Sequence, residues 1–152
     1  MKNPWRKCWL SLIAHPMALV ATFAHAGADS AGQCERVVAV ESYASTGTAP
    51  AGSACNTFVG LSADTGVSCY WEFSYRNDAA VLLADALWSE ITGCRAGIQS
   101  EPDQRVNHPD SYDLKELTAG RDVYRVSVKD KGSQNRTLVF VRFERLGEGD
   151  SN

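Results

Sequence analysis

Apolar and polar side chains alternate along a stretch in the middle of the chain. Val67, Cys69, Trp71, Phe73 and Tyr75 alternate with Ser68, Tyr70, Glu72, Ser74 and Arg76. A period of two places one set on each side of a β-strand. The pattern therefore predicts a strand with one buried face.

The apolar period changes just after this strand. Over residues 78–93, apolar side chains recur at three- and four-residue steps, at Ala80, Leu83, Ala84, Leu87, Trp88 and Ile91. That spacing is typical of a helix with one apolar stripe. Asn77 or Asp78 can cap its free N–H groups, and Gly93 stands where a helix end favours a left-handed residue. We expect this helix to pack on the preceding strand.

Shorter patterns complete the predicted fold. Residues 121–129 and 136–145 read as two strands joined by the turn-forming residues 130–135. Weaker patterns predict a strand or a helical turn at 35–43, strands at 57–61 and 96–99, a helical turn at 113–117 and a surface loop at 45–54. Together they indicate the α+β class. We expect a mostly antiparallel sheet of about four or five strands, with one long helix packed on one face and two disulfides.

The N-terminal 26 residues have the pattern of a cleaved secretion signal. Lys2, Arg6 and Lys7 precede an apolar run at 8–23, and Ala24-His25-Ala26 is a small-x-small cleavage site. A membrane anchor is the alternative, but the apolar run is too short and interrupted for one. We therefore expect a periplasmic or secreted protein, with residues 27–146 as a single α+β domain and 147–152 as a disordered tail.

The cysteine count supports export. The chain has five cysteines, and loss of Cys8 with the signal leaves four, which predicts two disulfides. The strand at 69–75 spans roughly 20–23 Å and the helix at 78–93 roughly 24 Å, so a helix folded back on its strand would return Cys94 to Cys69. This argument predicts Cys69–Cys94, and by elimination Cys34–Cys55. A zinc site is disfavoured because the spacings lack C-x-x-C pairs.

The charge balance limits the classes of partner. The sequence has 15 basic and 18 acidic residues, and the predicted cleavage removes three basic and no acidic ones. The mature domain is then acidic and has no basic stripe, which argues against nucleic acid and anionic membrane surfaces. We expect no membrane insertion after cleavage and a possible protein partner in the cell envelope.

A polar cluster at residues 106–112 contains the strongest catalytic candidate. His108 is the one histidine that follows the predicted cleavage site. If the protein is an enzyme, a small hydrolase would use His108 with Asp110 or Asp113 and with Ser111. The alternatives are a structural loop, because Pro109 fixes the backbone before it, and a binding loop.

The acidic residues near this cluster suggest a second possible chemistry. Asp103, Asp110, Asp113 and Glu116 could gather around calcium, but a solvated acidic face is the simpler interpretation. No metal and no other cofactor is predicted.

The polar face of the central strand is the other candidate surface. Tyr70, Glu72 and Arg76 should line the side of the sheet that the helix leaves uncovered, together with Leu138 and Phe140. Either a loop, 45–54 or 106–117, covers this face, or it binds a partner. With the loop residues Asn107, His108, Asp110 and Tyr112, this face forms the predicted set of binding residues.

The last third of the chain resembles a group of exported proteins. The segments V-N-H-P-D-S-Y at 106–112, K-D-K at 129–131 and R-T-L-V-F at 136–140 resemble small exported bacterial proteins without an assigned activity. The resemblance implies an exported domain and no catalytic residue. We expect a non-enzymatic domain that binds a macromolecular partner as an inhibitor, immunity or accessory protein. The alternatives are the hydrolase and a small-molecule binder with its ligand under the helix.

Overall fold

The computed structural model describes residues 30–60, 64–102 and 110–147. Three helices and six strands follow one another along the chain. They are α1 (Ser30–Gln33), α2 (Glu35–Thr46), β1 (Ala54–Val59), β2 (Thr65–Ser74), α3 (Asp78–Cys94), β3 (Ile98–Ser100), β4 (Ser111–Ala119), β5 (Asp122–Lys131) and β6 (Arg136–Arg145). The predicted signal peptide and most of the predicted tail lie outside the described residues.

The strands form one antiparallel sheet of six in the order β1-β2-β6-β5-β4-β3. The antiparallel sheet is confirmed, but the expected four or five strands are too few. The extra strand is β4, where a helical turn was predicted at 113–117. Leu114 and Leu117 have helical spacing, yet β4 pairs with β5 along its whole length. The two leucines are buried on opposite faces of the sheet.

Two helices pack on the same side of the sheet, where one long helix was expected. α3 confirms the helix predicted at 78–93, and the Asn77 side chain accepts a hydrogen bond from the N–H of Ala79 (2.8 Å) as its cap. α2 corresponds to the segment at 35–43, for which the sequence left a strand and a helical turn open; the structure shows a helix of 12 residues. Val37 and Val40 are buried there, three residues apart, whereas Val38 is half exposed. We call the side covered by α2 and α3 the helix side and the opposite side the outer face.

The core lies between the helices and the helix side of the sheet. The buried apolar residues of β2 and β6 face those of α2 and α3, in a cluster formed by Val37, Val40, Val67, Cys69, Trp71, Ala80, Ala84, Leu87, Ile91, Val139, Val141 and Phe143, among others. This cluster confirms the alternation predicted from Val67 to Phe73 and the apolar stripe predicted for 78–93. Tyr75, the last residue of the predicted alternation, lies beyond the end of β2 and outside the cluster. The cluster fixes which side of each strand faces outward.

The cysteine pairing differs from the prediction. The structure joins Cys34 to Cys94 and Cys55 to Cys69, so the predicted pairs Cys69–Cys94 and Cys34–Cys55 are wrong. Cys55 lies directly opposite Cys69 in the β1–β2 register, with their Cα atoms 4.0 Å apart. α3 packs mainly over β5 and β6 and not back along β2. Its end therefore reaches Cys34, next to the start of α2.

Two disulfides are compatible with an extracellular, oxidising location. Across the part of the chain that the structure describes, no helix is long and apolar enough to cross a membrane.

A buried carboxylate of α3 caps the start of α2. Cys34, which precedes α2, provides no side-chain cap. Instead Glu90 accepts hydrogen bonds from the backbone N–H groups of Arg36 (2.7 Å) and Val37 (3.1 Å) and from Nε of Arg36 (2.7 Å). Free N–H groups at a helix start need such acceptors, and the helix dipole favours a negative charge there. The two helices are thus locked together at the same end as the Cys34–Cys94 disulfide.

The middle of α2 is tied to the sheet by a polar network. Glu41 accepts two hydrogen bonds from Arg95 (2.8 and 2.6 Å) and one from the hydroxyl of Tyr124 (2.5 Å). Burial is the largest cause of a raised pKa at Tyr124, and the hydrogen bond to Glu41 raises it further, while Arg95 lowers it by less. The phenol is therefore held in its neutral form.

We expect the protein to lose stability in alkaline solution through Tyr124. The unfolded chain ionises this phenol near pH 10, whereas the folded protein keeps the proton, so the free energy of unfolding falls as the pH rises above 10. Urea unfolding at several alkaline pH values measures the slope. Tyr124→Phe should flatten it. An unchanged slope in Tyr124→Phe would contradict the assignment.

Candidate functional site

An open cavity of about 410 Å³ lies on the helix side, between the first half of α3 and strands β4, β5 and β6. We call it the helix-side cavity. Its lining residues are Arg76, Asn77, Asp78, Val81, Ala84, Asp85, Tyr112, Asp113, Lys115, Val126, Ser127, Val128, Asp130 and Thr137. Its volume falls in the range of small-molecule sites.

The floor of the helix-side cavity is apolar. Ala84 and Val126 are buried, Val128 is partly buried, and Val81 is half exposed at the rim. The small side chain of Ala84 leaves space between α3 and the valines of β5. Such a floor can bury an apolar part of a ligand.

The rim of the cavity is charged and predominantly acidic. Lys115 pairs with Asp85 (3.2 Å), which joins β4 to α3. Arg76 lies 3.5 Å from Asp130. The lining contains four aspartates but only two cations. The rim therefore favours a neutral or cationic group over an anion.

A buried threonine fixes the corner of the cavity between β2 and α3. Oγ1 of Thr137 accepts a hydrogen bond from the backbone N–H of Arg76 (2.8 Å) and donates one to Asp130 (2.6 Å). Arg76 has a positive φ of 55°, which is unfavourable for a residue with a side chain. The Thr137 hydrogen bond helps to hold the turn in this conformation and places the Arg76 side chain at the cavity rim.

The predicted binding residues separate into two groups. Tyr70 and Glu72 lie on the outer face, as expected: the ring of Tyr70 is 5.8 Å from that of Phe140, and Glu72 pairs with Arg136 (2.9 Å). Arg76 does not lie with them, because the chain turns after Ser74 and carries it to the helix-side cavity. Tyr112 borders both faces near the start of β4.

The loop at 45–54 does not cover Tyr70 or Phe140. Its Ala51 carbonyl accepts a hydrogen bond from Nε1 of Trp71 (3.0 Å), whose side chain belongs to the helix-side core. The second covering segment proposed from the sequence, 106–117, is strand β4 over the part that the structure describes from Ser111 onward.

The residues proposed for catalysis are described only in part. Asn107 and His108 lie outside the described residues, as does the side chain of Ser111. Asp110 accepts hydrogen bonds from Lys131 (2.6 Å) and from the N–H of Gly132 (3.1 Å). The Lys131 hydrogen bond is the largest cause of the lowered pKa of this carboxyl. Asp110 is thus engaged in fixing the β5–β6 turn, and the hydrolase stays a prediction.

The residues considered for calcium do not come together. Asp113 and Glu116 point to opposite sides of β4, Asp110 pairs with Lys131 and Glu116 pairs with Arg125 (2.6 Å). Asp103 lies outside the described residues. In the described part of the chain, no group of three or more possible metal ligands is found.

The outer face has a shallow cleft that the sequence did not predict. We call it the outer cleft. It measures about 230 Å³ and is lined by Ser68, Tyr112, Leu114, Arg125, Ser127, Lys129, Phe140 and Arg142. Its residues come from neighbouring strands and lie opposite one another across the sheet. Their proximity can be recognised only when the register of β4, β5 and β6 is known.

The residues of the helix-side cavity were missed for a similar reason. Asp85, Lys115, Asp130 and Thr137 come from four separate elements. One signal was present: Lys115 is a charged residue at an inward-facing position between Asp113 and Leu117, where alternation would favour an apolar one.

Comparison with known proteins adds no family or relative, since no family model matches the chain and no curated protein is significantly similar to it.

Proposed function

We propose that the protein is an exported, non-enzymatic binding domain whose helix-side cavity holds a small organic ligand with an apolar body and a cationic group. The observation that carries this proposal is the cavity itself, with an apolar floor at Ala84, Val126 and Val128 and an acidic rim. Apolar contact would supply most of the affinity, and the aspartates would select the charge.

Three features support export to the periplasm or beyond. The two disulfides form readily only in an oxidising compartment. Residues 1–26 have the pattern of a secretion signal. The last third of the chain resembles small exported bacterial proteins. Detection of the protein in a periplasmic fraction would test this part directly.

A binding role fits the way the cavity uses its polar groups. Lys115 is paired with Asp85, and Thr137, Asp130 and Arg76 share one set of contacts that shapes the β2–α3 turn. These groups hold elements together. A catalytic acid or base would need to be available to a substrate.

Phenethylamine and phenylacetate test the proposal as a matched pair, because they share an apolar ring and differ in charge. We expect phenethylamine to raise the melting temperature and to shift the amide signals of Ala84 and Val126. Phenylacetate should bind at least about tenfold more weakly, a difference of about 1.4 kcal/mol. Equal binding of both would contradict the charge assignment. Binding of neither would contradict the proposal for ligands of this class.

Val81→Trp should close the cavity, because Val81 stands at its rim and is half exposed. We expect it to weaken phenethylamine binding by about tenfold or more. Leu82→Trp is the matched control: Leu82 is the next residue of α3, is more exposed than Val81 and does not line the cavity. Calorimetric titration of both variants separates occlusion of the cavity from a general effect of tryptophan on the helix.

The macromolecular partner expected from the sequence is a second candidate function. The observation that favours it is the outer face, where the rings of Tyr70 and Phe140 lie next to each other with their planes tilted by 41°, and where Phe140 also lines the outer cleft. Aromatic residues and arginines are the side chains most enriched at protein interfaces.

A further inference from the structure

We propose that the outer cleft binds a glutamate or aspartate carboxylate from an acidic segment of a protein partner. This inference rests on the second candidate function, a partner on the outer face, and is independent of the helix-side cavity. The structure points to such a residue through the charges of the cleft, through one buried polar group without a partner, and through the shape of the cleft.

The charges that line the outer cleft are all positive. Arg125, Lys129 and Arg142 face it, and its lining contains no carboxylate. Glu116 and Glu144 lie nearby on the same face, but both are engaged by Arg125. The ammonium of Lys129 lies 4.8 Å from the centre of the Tyr112 ring and 5.8 Å from that of Phe140. Among the described residues it forms no direct ion pair, although its charge also acts on the Asp110 carboxylate. Lys129 is therefore the cation available to an incoming anion.

The strand register places these cations on both sides of Ser127. Arg125, Ser127 and Lys129 project from the same face of β5 at successive steps of roughly 7 Å. Phe140 lies opposite Ser127 on β6, and Arg142 lies opposite Arg125. An oxygen anion above Ser127 would thus have Lys129 on one side and Arg142 on the other, within reach of both side chains.

One polar group at this point is buried without a partner within the described residues. It is Nε of Arg142. Ser127 lies beside it, is only 6% exposed and presents its hydroxyl to the cleft that it lines. A buried donor without an acceptor is unfavourable, and a carboxylate has the oxygens to satisfy donors from both sides.

Arg142 is held in place before any ligand arrives. Its guanidinium lies 3.9 Å above the ring of Phe58, which reaches across β2 at Gly66. The other contact of Arg142 is an ion pair of 3.4 Å with Glu144. A stacked guanidinium keeps its planar orientation and loses less conformational entropy on binding.

The shape and surroundings favour a protein segment as the occupant. At about 230 Å³ the cleft is smaller than a usual small-molecule pocket, yet a single carboxylate side chain fits it. The neighbouring Tyr70–Phe140 pair offers apolar contact to the residues on either side of that carboxylate. Glu72, Glu116 and Glu144 share the outer face, and they would repel a continuous anionic surface such as a membrane or a nucleic acid.

The test uses the full disulfide-bonded protein, labelled with ¹⁵N, and two blocked tripeptides of sequence Leu-Glu-Leu and Leu-Gln-Leu. We expect the glutamate peptide to shift the amide signals of Ser127, Lys129 and Arg142 to saturation. The glutamine peptide should bind at least about fivefold more weakly, because a charged acceptor forms the stronger hydrogen bonds. Equal binding of the two peptides overturns the proposal.

Lys129→Gln should weaken binding of the glutamate peptide by about fivefold, and Ser127→Ala by about threefold. Lys131→Gln is the matched control, because Lys131 lies two residues further along β5, is held by Asp110 and does not line the cleft. It removes the same net charge and should leave the affinity unchanged. Equal losses in Lys129→Gln and Lys131→Gln would indicate general electrostatics and overturn the site.

Three further measurements exclude other occupants. Inorganic phosphate that displaces the peptide at equal concentration would mark an adventitious anion site. Binding to vesicles of anionic phospholipid without binding of the peptide would indicate a membrane, and self-association in sedimentation that protects the same amides would indicate a second copy. Each of these outcomes overturns the proposal. Phenethylamine, which reports on Ala84 and Val126 in the same sample, shows separately whether the helix-side cavity binds.

Discussion

Replacing Cys34 and Cys94 together by alanine is expected to lower the free energy of unfolding by about 4 kcal/mol. The two cysteines are 60 residues apart in sequence, so their disulfide closes a long loop and removes much of the conformational freedom of the unfolded chain. It also joins the start of α2 to the end of α3. Urea unfolding of the oxidised protein and the variant measures the difference.

The second disulfide provides the internal control. Cys55 and Cys69 are only 14 residues apart, and the β1–β2 register already holds them opposite each other. Their joint replacement by alanine should cost about 3 kcal/mol, less than the first pair. The reverse order of effects would contradict the loop-length argument. Peptide mapping without reduction that joined Cys34 to Cys55 would contradict the pairing itself.

Glu90→Ala is expected to destabilise the protein by about 3 kcal/mol. The carboxylate is almost fully buried and accepts from two backbone N–H groups of α2 and from the Arg36 guanidinium. Alanine would leave these donors without an acceptor, next to a helix start that has no cap of its own. Thermal and urea unfolding give the free energy, and the loss of helical signal at the N-terminal end of α2 would locate it.

Two variants separate the cap from other effects at this position. Glu90→Gln keeps one oxygen acceptor and should cost about 1–2 kcal/mol. Glu35→Gln removes a charge from the exposed first residue of α2 and should change stability by less than about 0.5 kcal/mol. A Glu90→Ala variant as stable as Glu35→Gln would show that the capping hydrogen bonds contribute nothing.

The parts of the fold that the sequence predicted correctly are those with an uninterrupted period. β2 alternates strictly, α3 carries an apolar stripe, and β6 was predicted at 136–145, the bounds that the structure shows. In each case, local spacing alone determines which side chains are buried. For α2 the sequence left a strand and a helical turn open, because its three valines cluster as they would in a strand, although only Val37 and Val40 are buried.

The disulfide pairing could not be obtained from lengths alone. β2 and α3 do have similar lengths, but equal length does not determine direction. α2 covers β2 on the helix side, and α3 is displaced toward β5 and β6. Only knowledge of α2, which the sequence did not provide, would have shown that Cys94 meets Cys34 and leaves Cys69 to Cys55.

Neither candidate site could be predicted from the sequence, because strand pairing brings together residues that are distant in the chain. Lys129 and Arg142 are 13 positions apart in sequence, and their relation follows from the pairing of Val128 with Val139. The sequence did predict that Tyr70 and Phe140 share a face, because each lies out of phase with the apolar set of its own strand. It could not show that cations on β5 and β6 would surround Ser127.

The absence of a side chain at Gly66 links two positions of the chain that would otherwise vary separately. A Cβ atom there would collide with the ring of Phe58 and with the carbonyl oxygen of Phe143. A small residue at position 58 would remove only the first collision, because the Phe143 carbonyl belongs to the backbone. Related sequences in which residue 66 gains a side chain should therefore have a small residue 58 and also a β6 backbone shifted away from position 66. Such sequences would also lose the aromatic ring under the Arg142 guanidinium. The residues at positions 58 and 66 therefore indicate whether a related protein still holds Arg142 in this orientation.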